Sequence, residues 1–468
     1  MAAARVFGAV DIGASGGRVM AGVVSDGRVA LHEVHRFPNG VEHDAGHLRW
    51  DVWRLDEEVR VGLRALGRDF PAVESIGFDT WAVDYALLAE DGSMVDAPIA
   101  YRDERTEEAV HIVHARMDPA ALFARNGLQH LPFTTIYQLA DDRDTGRIDL
   151  AARIVLLPDL LASFLTGALR TEATNASTTG LVDVRTGAWS PDLCALADVD
   201  PALLPPIDLP GALRGPVMLP DHVGLPADTV VTTVASHDTA SAVVAVPATT
   251  SRFAYVISGT WSLVGVETAE PVLTEAARLA GFTNEAGVDG RTRFLRNVGG
   301  LWLLQECLRE WGDPDLGPLL AAAGAVPAGG PSFKADDPVF TAPGGMPERI
   351  VTAARPPLSS DRAAVVRSVL DSLSHVHGRT LMRAVGLTHR TIDVVHMVGG
   401  GSQNALLCQL TADSHEMPVV AGPVEATARG NVMVQARAHG AASGTLEDLR
   451  AVVAASTDLV RYDPRETP

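Results

Sequence analysis

Three turns of small side chains and one short acidic motif carry the reactive potential of this sequence. The turns are DIGASGGR (residues 11–18), SGTWS (258–262) and VGGGSQN (398–404). Small residues leave backbone N–H groups uncovered, and glycine both admits positive φ and lets a ligand approach closely. Successive N–H groups of this kind make an anion nest, to which Ser15, Arg18, Thr260 and Ser262 can add side-chain donors. No P-loop lysine follows the first turn, and the apolar run after it reads as a strand. Taken singly, each turn is also what an ordinary hairpin or helix entry looks like. Two strand–turn–strand units, one in each half of the chain, shift the reading toward a polyphosphate gripped from two sides. The third turn differs, since a strand runs through glycines into a helix, as over a flat base or its phosphates. Its spacing is not that of a dinucleotide fingerprint.

In SHDTAS, Asp238 stands where a strand ends and a helix begins. It reads either as a helix cap, in competition with Ser236 or Thr239, or as a proton acceptor. The helix dipole favours its ionised form. With a pKa near ~4 it would orient an alcohol and take the proton only as a new P–O bond forms. His237 beside it orients a substrate or packs. In GFDTWAVDY, Asp79, Trp81 and Asp84 put carboxylates and an indole together, which suits the hydroxyls and C–H face of a sugar. A half-buried hairpin with solvated acids is the plainer account. Asn297 precedes the helix expected at VGGLWLLQECLREW, whose buried stripe is predicted at Leu301, Leu304, Leu308 and Trp311. Gln305 falls off that stripe. For these two polar residues a cap or a solvated side chain is the simpler role.

Strands alternating with helices must position these groups, which implies an α/β fold. Strands are expected at 5–11 and 18–24, then a helix over 51–66 with Val52, Leu55, Val59 and Leu63 inward. Residues 107–170 read as mainly helical, 228–236 as a strand, and 254–268 as a second strand–turn–strand unit. A long helix is expected near 358–386, and the Pro-, Gly- and Asp-rich stretch 313–358 reads as loops or an insertion.

A chain of 468 residues exceeds one ordinary core, so two domains are expected, 1–246 and 247–468. The net charge of −20 argues against a nucleic-acid binder. Of 38 basic residues only Lys334 is a lysine, which leaves no candidate for Schiff-base chemistry beyond it. Three dispersed cysteines, Cys194, Cys307 and Cys408, give neither metal-ligand spacing nor a disulfide framework, and a reducing cytoplasm fits them. The opening MAAARVFGAV runs into a strand and does not read as a secretory leader. The longest apolar stretch, IVLLPDLLASFLTG, is too short to span a bilayer. Arg102 and Arg105 in YRDERT read as surface ion-pair residues.

Taken in order, AVDIGASGGRVM, GFDTWAVDY, SHDTAS, ISGTWSLVG, RNVGGLWLLQE and VGGGSQNALLCQLTAD make the chain resemble the FGGY carbohydrate kinases over almost its whole length. GPVEATARGNVMVQA resembles the family's closing segment. The resemblance implies two actin-like, ribonuclease-H-type domains with an interdomain cleft: an N-terminal one for sugar and the catalytic aspartate, and a C-terminal one for nucleotide. It implies transfer of the ATP γ-phosphoryl group to the 1-hydroxyl of a ketose, with L-rhamnulose the expected acceptor. Asp238 is then the proton acceptor. ATP would be served by Gly13, Ala14, Ser15, Gly16, Gly17 and Arg18, with Gly259, Thr260, Gln305, Gly400 and Gly401. Sugar would meet Trp81, Ala82, Asp84, His237, Asp238, Thr239 and Asn297. Mg²⁺, with Asp11 on its side and Arg18 assisting, would supply the charge that a P-loop lysine brings. The family pattern reads DTWGVD, so Ala82 is a departure that bears on sugar choice. L-Fuculose, L-xylulose, or a non-catalytic sugar- and nucleotide-binding regulator are the competing readings. The expected partners are a ketose and ATP, without nucleic acid or membrane, in a monomer or homodimer.

Overall fold

The computed structural model describes residues 4–218, 223–342 and 344–465. Two units divide the chain: Met1–Ala245 with Thr268–Phe294 and Ala426–Ser456, and Val246–Glu267 with Leu295–Glu425 and Thr457–Pro468. Neither unit is contiguous.

In the first unit the strand Arg5–Gly13 is central. It pairs antiparallel with Gly16–Ser25, so that Gly13 and Gly16 close a two-residue loop at Ala14 and Ser15. On its other side it pairs parallel with Val73–Thr80, which in turn pairs parallel with Val230–Thr232. Arg28–Pro38 and Leu213–Pro216 complete the six-stranded sheet at its edges. The helix Val52–Asp69 covers one face; Asp51 caps it by accepting from Arg54 N at 3.0 Å. Val52, Leu55, Val59 and Leu63 are buried as the spacing predicts, against Val10, Ile12, Ile76 and Phe78. The helices Asp238–Val244 and Ala426–Ala438 belong to this unit as well.

The second unit repeats the central motif. Phe253–Ser258 pairs antiparallel with Trp261–Thr268 and parallel with Val394–Val398. Val394–Val398 pairs parallel with Val419–Ala421, whose other neighbour is Val460–Tyr462. The long helix runs from Arg362 to Thr388, capped by Asp361.

Several expectations are corrected here. Val73–Thr80 and Tyr85–Leu88 do not form a hairpin: the second pairs with Arg153–Leu156, so the DTWAVD segment leaves the sheet between two different partners. The strand expected over 228–236 is ordered as one only at Val230–Thr232. The 313–358 stretch carries two helices, Leu316–Ala325 and Met346–Ala353. The Arg105 side chain is only 5% exposed and binds Asp141 and Asp142; it is not a surface pair. Among the described residues no helix is long and apolar enough to cross a membrane.

Candidate active site

The acidic motif is held from behind by a buried carboxylate that no sequence motif marks. Glu172 is fully buried and accepts from Thr174 N (2.7 Å), Thr174 Oγ1 (2.6 Å), Asn175 N (3.0 Å), Ser236 N (3.0 Å) and Ser236 Oγ (2.9 Å). Thr80 N donates to Ser236 O at 2.9 Å, which ties the loop to the end of the neighbouring strand. With Ser236 fixed on both sides, the next residues have a set direction. His237 is the N-cap of the helix Asp238–Val244, and Asp238 is its first residue. The cap is therefore neither Asp238 nor its competitors Ser236 and Thr239. Asp238 Oδ1 instead accepts from Thr239 N at 2.5 Å.

The Asp238 side chain keeps 28% of its surface exposed. Its pKa is pushed up to about 6, first by desolvation and further by the Asp11 charge, against the pull of His237, Thr239 N and Arg293. The dipole expected to hold it ionised is outweighed by this desolvation. The carboxylate is thus a stronger proton acceptor than an ordinary aspartate once ionised.

Asp11 and Asp79 lie opposite each other in register on adjacent parallel strands. Asp11 Oδ2 accepts from Arg18 Nε at 3.1 Å, and Arg18 is Asp11's cross-strand partner. Asp79 is fully buried; Asn431 Nδ2 donates to its Oδ2 at 2.6 Å, while Oδ1 has no hydrogen-bond partner. Burial and then the nearby Asp11 raise Asp79 well above the usual carboxylate range. No group of three or more His, Cys, Asp or Glu converges on a metal position among the described residues. Asp11, with the unpartnered oxygen of Asp79 beside it, is a sparse oxygen set that suits a hard ion taking most of its ligands from water and phosphate, as Mg²⁺ does.

The loop Ala14–Ser15 is pinned by Asn39, whose Nδ2 donates to Gly13 O (2.9 Å) and whose N donates to Ser15 O (3.3 Å). None of Gly13, Gly16 and Gly17 has positive φ. Gly17 is small because a Cβ there would stand 2.3 Å from the Phe37 ring. At the tip Ser15 is exposed and Ala14 half-buried.

Trp81 and Asp84 are buried, and Asp84 is a hub. Its Oδ2 accepts from Trp50 Nε1 (2.6 Å), Trp81 Nε1 (2.9 Å) and Tyr101 N (3.2 Å), and its Oδ1 from Gln138 Nε2 (3.3 Å). Desolvation pushes its pKa up to about 6 against those four donors. Between the two, Ala82 is half-buried and Val83 has φ 72°. A β-branched residue reaches this region only under constraint. Thr135 Oγ1 and Gln138 Nε2 supply that constraint by donating to Val83 O at 2.7 and 3.3 Å.

In the second unit, Gly259 N donates to Trp261 O (2.9 Å), while Leu301 N and Trp302 N donate to Gly259 O and Thr260 O at 2.9 and 3.1 Å. The SGTWS turn is thereby joined to the start of the helix Trp302–Glu310. That helix buries Leu303, Leu304 and Cys307, so the stripe is rotated from the one expected at Leu301, Leu304, Leu308 and Trp311. Gln305 is exposed, as anticipated. Asn297 lies half-buried on the strand Thr292–Gly299 and does not precede the helix directly. At the third turn Gly399 has φ 84°, Gly400 faces open space, and a Cβ on Gly401 would stand 2.0 Å from Ser258 Oγ.

Glu285 and Arg293 were not foreseen. Both are buried, they pair at 3.0 Å, and they stand against His237. No motif marked them, since they act from strands 283–286 and 292–299, far along the chain from Asp238.

Comparison with known proteins identifies the family. Residues 6–245 match the N-terminal domain, and residues 254–439 the C-terminal domain, of the FGGY family of carbohydrate kinases. The chain is 37% identical to a rhamnulokinase of Bacteroides thetaiotaomicron, covering 98% of this chain and 96% of that one. It is 39% identical to a rhamnulokinase of Pectobacterium carotovorum, covering 98% and 92%. Its fold is similar to that of a gluconate kinase from Lactobacillus acidophilus, with TM-score 0.83 at 17% identity over 99% of this chain and 94% of that one. A Plasmodium falciparum glycerol kinase solved with ADP gives TM-score 0.78 at 16% identity, covering 99% and 94%. The two-unit α/β architecture is thus the actin-like fold of sugar kinases, and the chain belongs to the FGGY family of carbohydrate kinases.

Proposed function

We propose that this protein transfers the γ-phosphoryl group of ATP to the 1-hydroxyl of L-rhamnulose, giving L-rhamnulose 1-phosphate and ADP. The reading is carried by Asp238, a half-desolvated carboxylate at a helix start with a raised pKa and a rigid mount. The acceptor is chosen on the likeness to rhamnulokinases at 37–39% identity over nearly the full chain.

In this reading residues 1–246 supply the catalytic aspartate and most of the sugar contacts, and residues 247–468 supply nucleotide contacts. Asp238 orients the hydroxyl and takes its proton as the oxygen attacks phosphorus, the γ-phosphoryl passing to that oxygen and ADP leaving. His237, Thr239 and Asn297 contact the sugar, and Ala82 lies against it. Trp81 presents its ring, and Asp84, already saturated by four donors, serves by fixing the two indoles. The Gly13–Arg18 loop, Gly259, Thr260, Gln305, Gly400 and Gly401 serve ATP through backbone N–H groups and side-chain donors. Mg²⁺ beside Asp11 would neutralise phosphate charge when bound. Phosphoryl transfer asks mainly for positioning and charge compensation, which such a set provides. The reducing cytoplasm suits its three buried free thiols.

The test is ADP release from Mg-ATP on adding a panel of ketoses. Highest kcat/KM with L-rhamnulose is expected. Preference for L-fuculose or L-xylulose would reject the acceptor, and no ketose-dependent release would reject the activity.

A further inference from the structure

Arg293 lies behind the Asp238 motif with its side chain fully buried. Its Nε donates to Ala286 O at 3.0 Å, and Glu285 Oε2 stands 3.0 Å from its Nη2 and balances its charge. Both Nη groups of the fork also face the motif. Nη2 is 3.1 Å from His237 Nδ1, and Nη1 is 3.2 Å from Thr239 Oγ1.

A guanidinium offers only hydrogens. His237 Nδ1 must therefore present its lone pair to Arg293, which places the imidazole hydrogen on Nε2. An Nδ1–H pointing the other way, toward Glu285 Oε2 at 3.3 Å, would set two hydrogens face to face at the closer Arg293 contact. His237 Nε2 stands 2.8 Å from Thr239 Oγ1. The threonine oxygen thus receives one hydrogen from His237 and one from Arg293, which fills both of its lone pairs. Its own hydrogen has no acceptor left inside this group. Asp238 is committed in the complementary sense, since Oδ1 takes Thr239 N and leaves Oδ2 as acceptor.

We propose that Arg293, balanced by Glu285, is a positioning residue that fixes the His237 tautomer and so makes the Thr239 hydroxyl a hydrogen-bond donor to the substrate. The site then presents a donor, Thr239 Oγ1–H, beside an acceptor, Asp238 Oδ2. This pair matches a hydroxyl next to a carbonyl or ketal oxygen, the arrangement at C1 and C2 of a ketose. The inference rests on the ketose-kinase reading for its ligand, but the tautomer is a property of the protein alone.

Two measurements test it. First, ¹⁵N–¹H correlation spectra of histidine-labelled protein, without substrate and with His237→Asn used to assign the signal, are expected to show hydrogen on Nε2 and none on Nδ1. Arg293→Lys keeps the charge but not the fork, and is expected to abolish that single-tautomer signature. Second, Thr239→Val is expected to raise KM for the ketose at least tenfold with KM for ATP within twofold, and Thr239→Ser to restore it. An Nδ1–H tautomer or an imidazolium at neutral pH would overturn the role of Arg293. An unchanged ketose KM in Thr239→Val would overturn the donor role. Loss of both ketose response and ADP release in the wild type would instead strike the kinase reading, and the histidine spectrum would still decide the tautomer.

Discussion

Gly430 passes so close to Ser241 that a Cβ on it would stand 1.8 Å from the Ser241 carbonyl oxygen. This approach joins the helices Ala426–Ala438 and Asp238–Val244, the second of which begins with Asp238. The same long helix sends Asn431 to Asp79 and Gln435 to Gly8 O. Any side chain at 430 must push the two helices apart and drag the Asp238 mount with them. Gly430→Ala is expected to destabilise the protein by about 2–3 kcal/mol, in the range of overpacked cores. Its control is Gly400→Ala, where a Cβ meets nothing within 4 Å, and where no change in urea midpoint is expected. Equal midpoints for the two variants would refute the tight crossing.

Asp238 carries opposite consequences for activity and stability. In the proposed reaction Asp238 is the proton acceptor, so Asp238→Asn is expected to lower turnover by roughly 10²-fold or more with ATP binding nearly intact. In the wild type kcat/KM should decline as pH falls below about 6, where the carboxylate takes up a proton. The folded pKa stands above the ordinary value of 3.8. Its stabilising contribution is therefore complete below pH ~4 and is lost as pH rises through about 6. At pH 7 the ionised form is a liability, and Asp238→Asn should raise stability by ~1–3 kcal/mol. Activity retained alongside unchanged stability would show that the group is neither catalytic nor strained by burial.

Much of this was readable before the fold because local pattern decides it. The strand–turn–strand units and the inward stripe Val52–Leu55–Val59–Leu63 follow from periodicity alone. The partners of Asp238 were not readable, because they are chosen by tertiary contact. Glu172 lies 64 residues from Ser236, and Arg293 lies 56 from His237. Glycine content also misled in one respect. Positive φ was an available reason for the first turn, whereas the packed Phe37 ring is the actual reason for Gly17. The raised pKa of Asp238 was likewise hidden, since sequence shows the helix start but not the desolvation that outweighs it.

Ala82 sits next to Val83, whose φ of 72° is enforced by Thr135 and Gln138. A methyl group on so rigid a turn cannot retreat from a ligand. Ala82→Gly, the residue of the family pattern, should relax sugar choice. The ratio of kcat/KM between the preferred ketose and its nearest rival is expected to move toward unity by roughly 3–10-fold, the scale of one methylene in a pocket. KM for ATP should not change. An unaltered ratio across the panel would show that the methyl faces away from the sugar.

His377 is the acid-sensitive point of the second unit. It is fully buried in the helix Arg362–Thr388, and neither ring nitrogen has a hydrogen-bond partner. Burial, with His415 nearby, pushes its pKa down from 6.5 to about 3. The unfolded chain therefore binds a proton that the folded chain refuses throughout the interval between those values. Stability is present above pH 6.5 and is lost as pH falls toward 3, at ~1.4 kcal/mol per pH unit. This runs against the Asp238 contribution, so single variants are needed to separate them. Between pH 7 and pH 5 the wild type should lose about 2 kcal/mol through this group. His377→Leu removes both the orphaned nitrogens and the proton, and should shrink the loss by that amount in urea titrations. If its acid sensitivity matched the wild type's, the buried imidazole would have to take up its proton in the native state as well, against the desolvation that lowers its pKa.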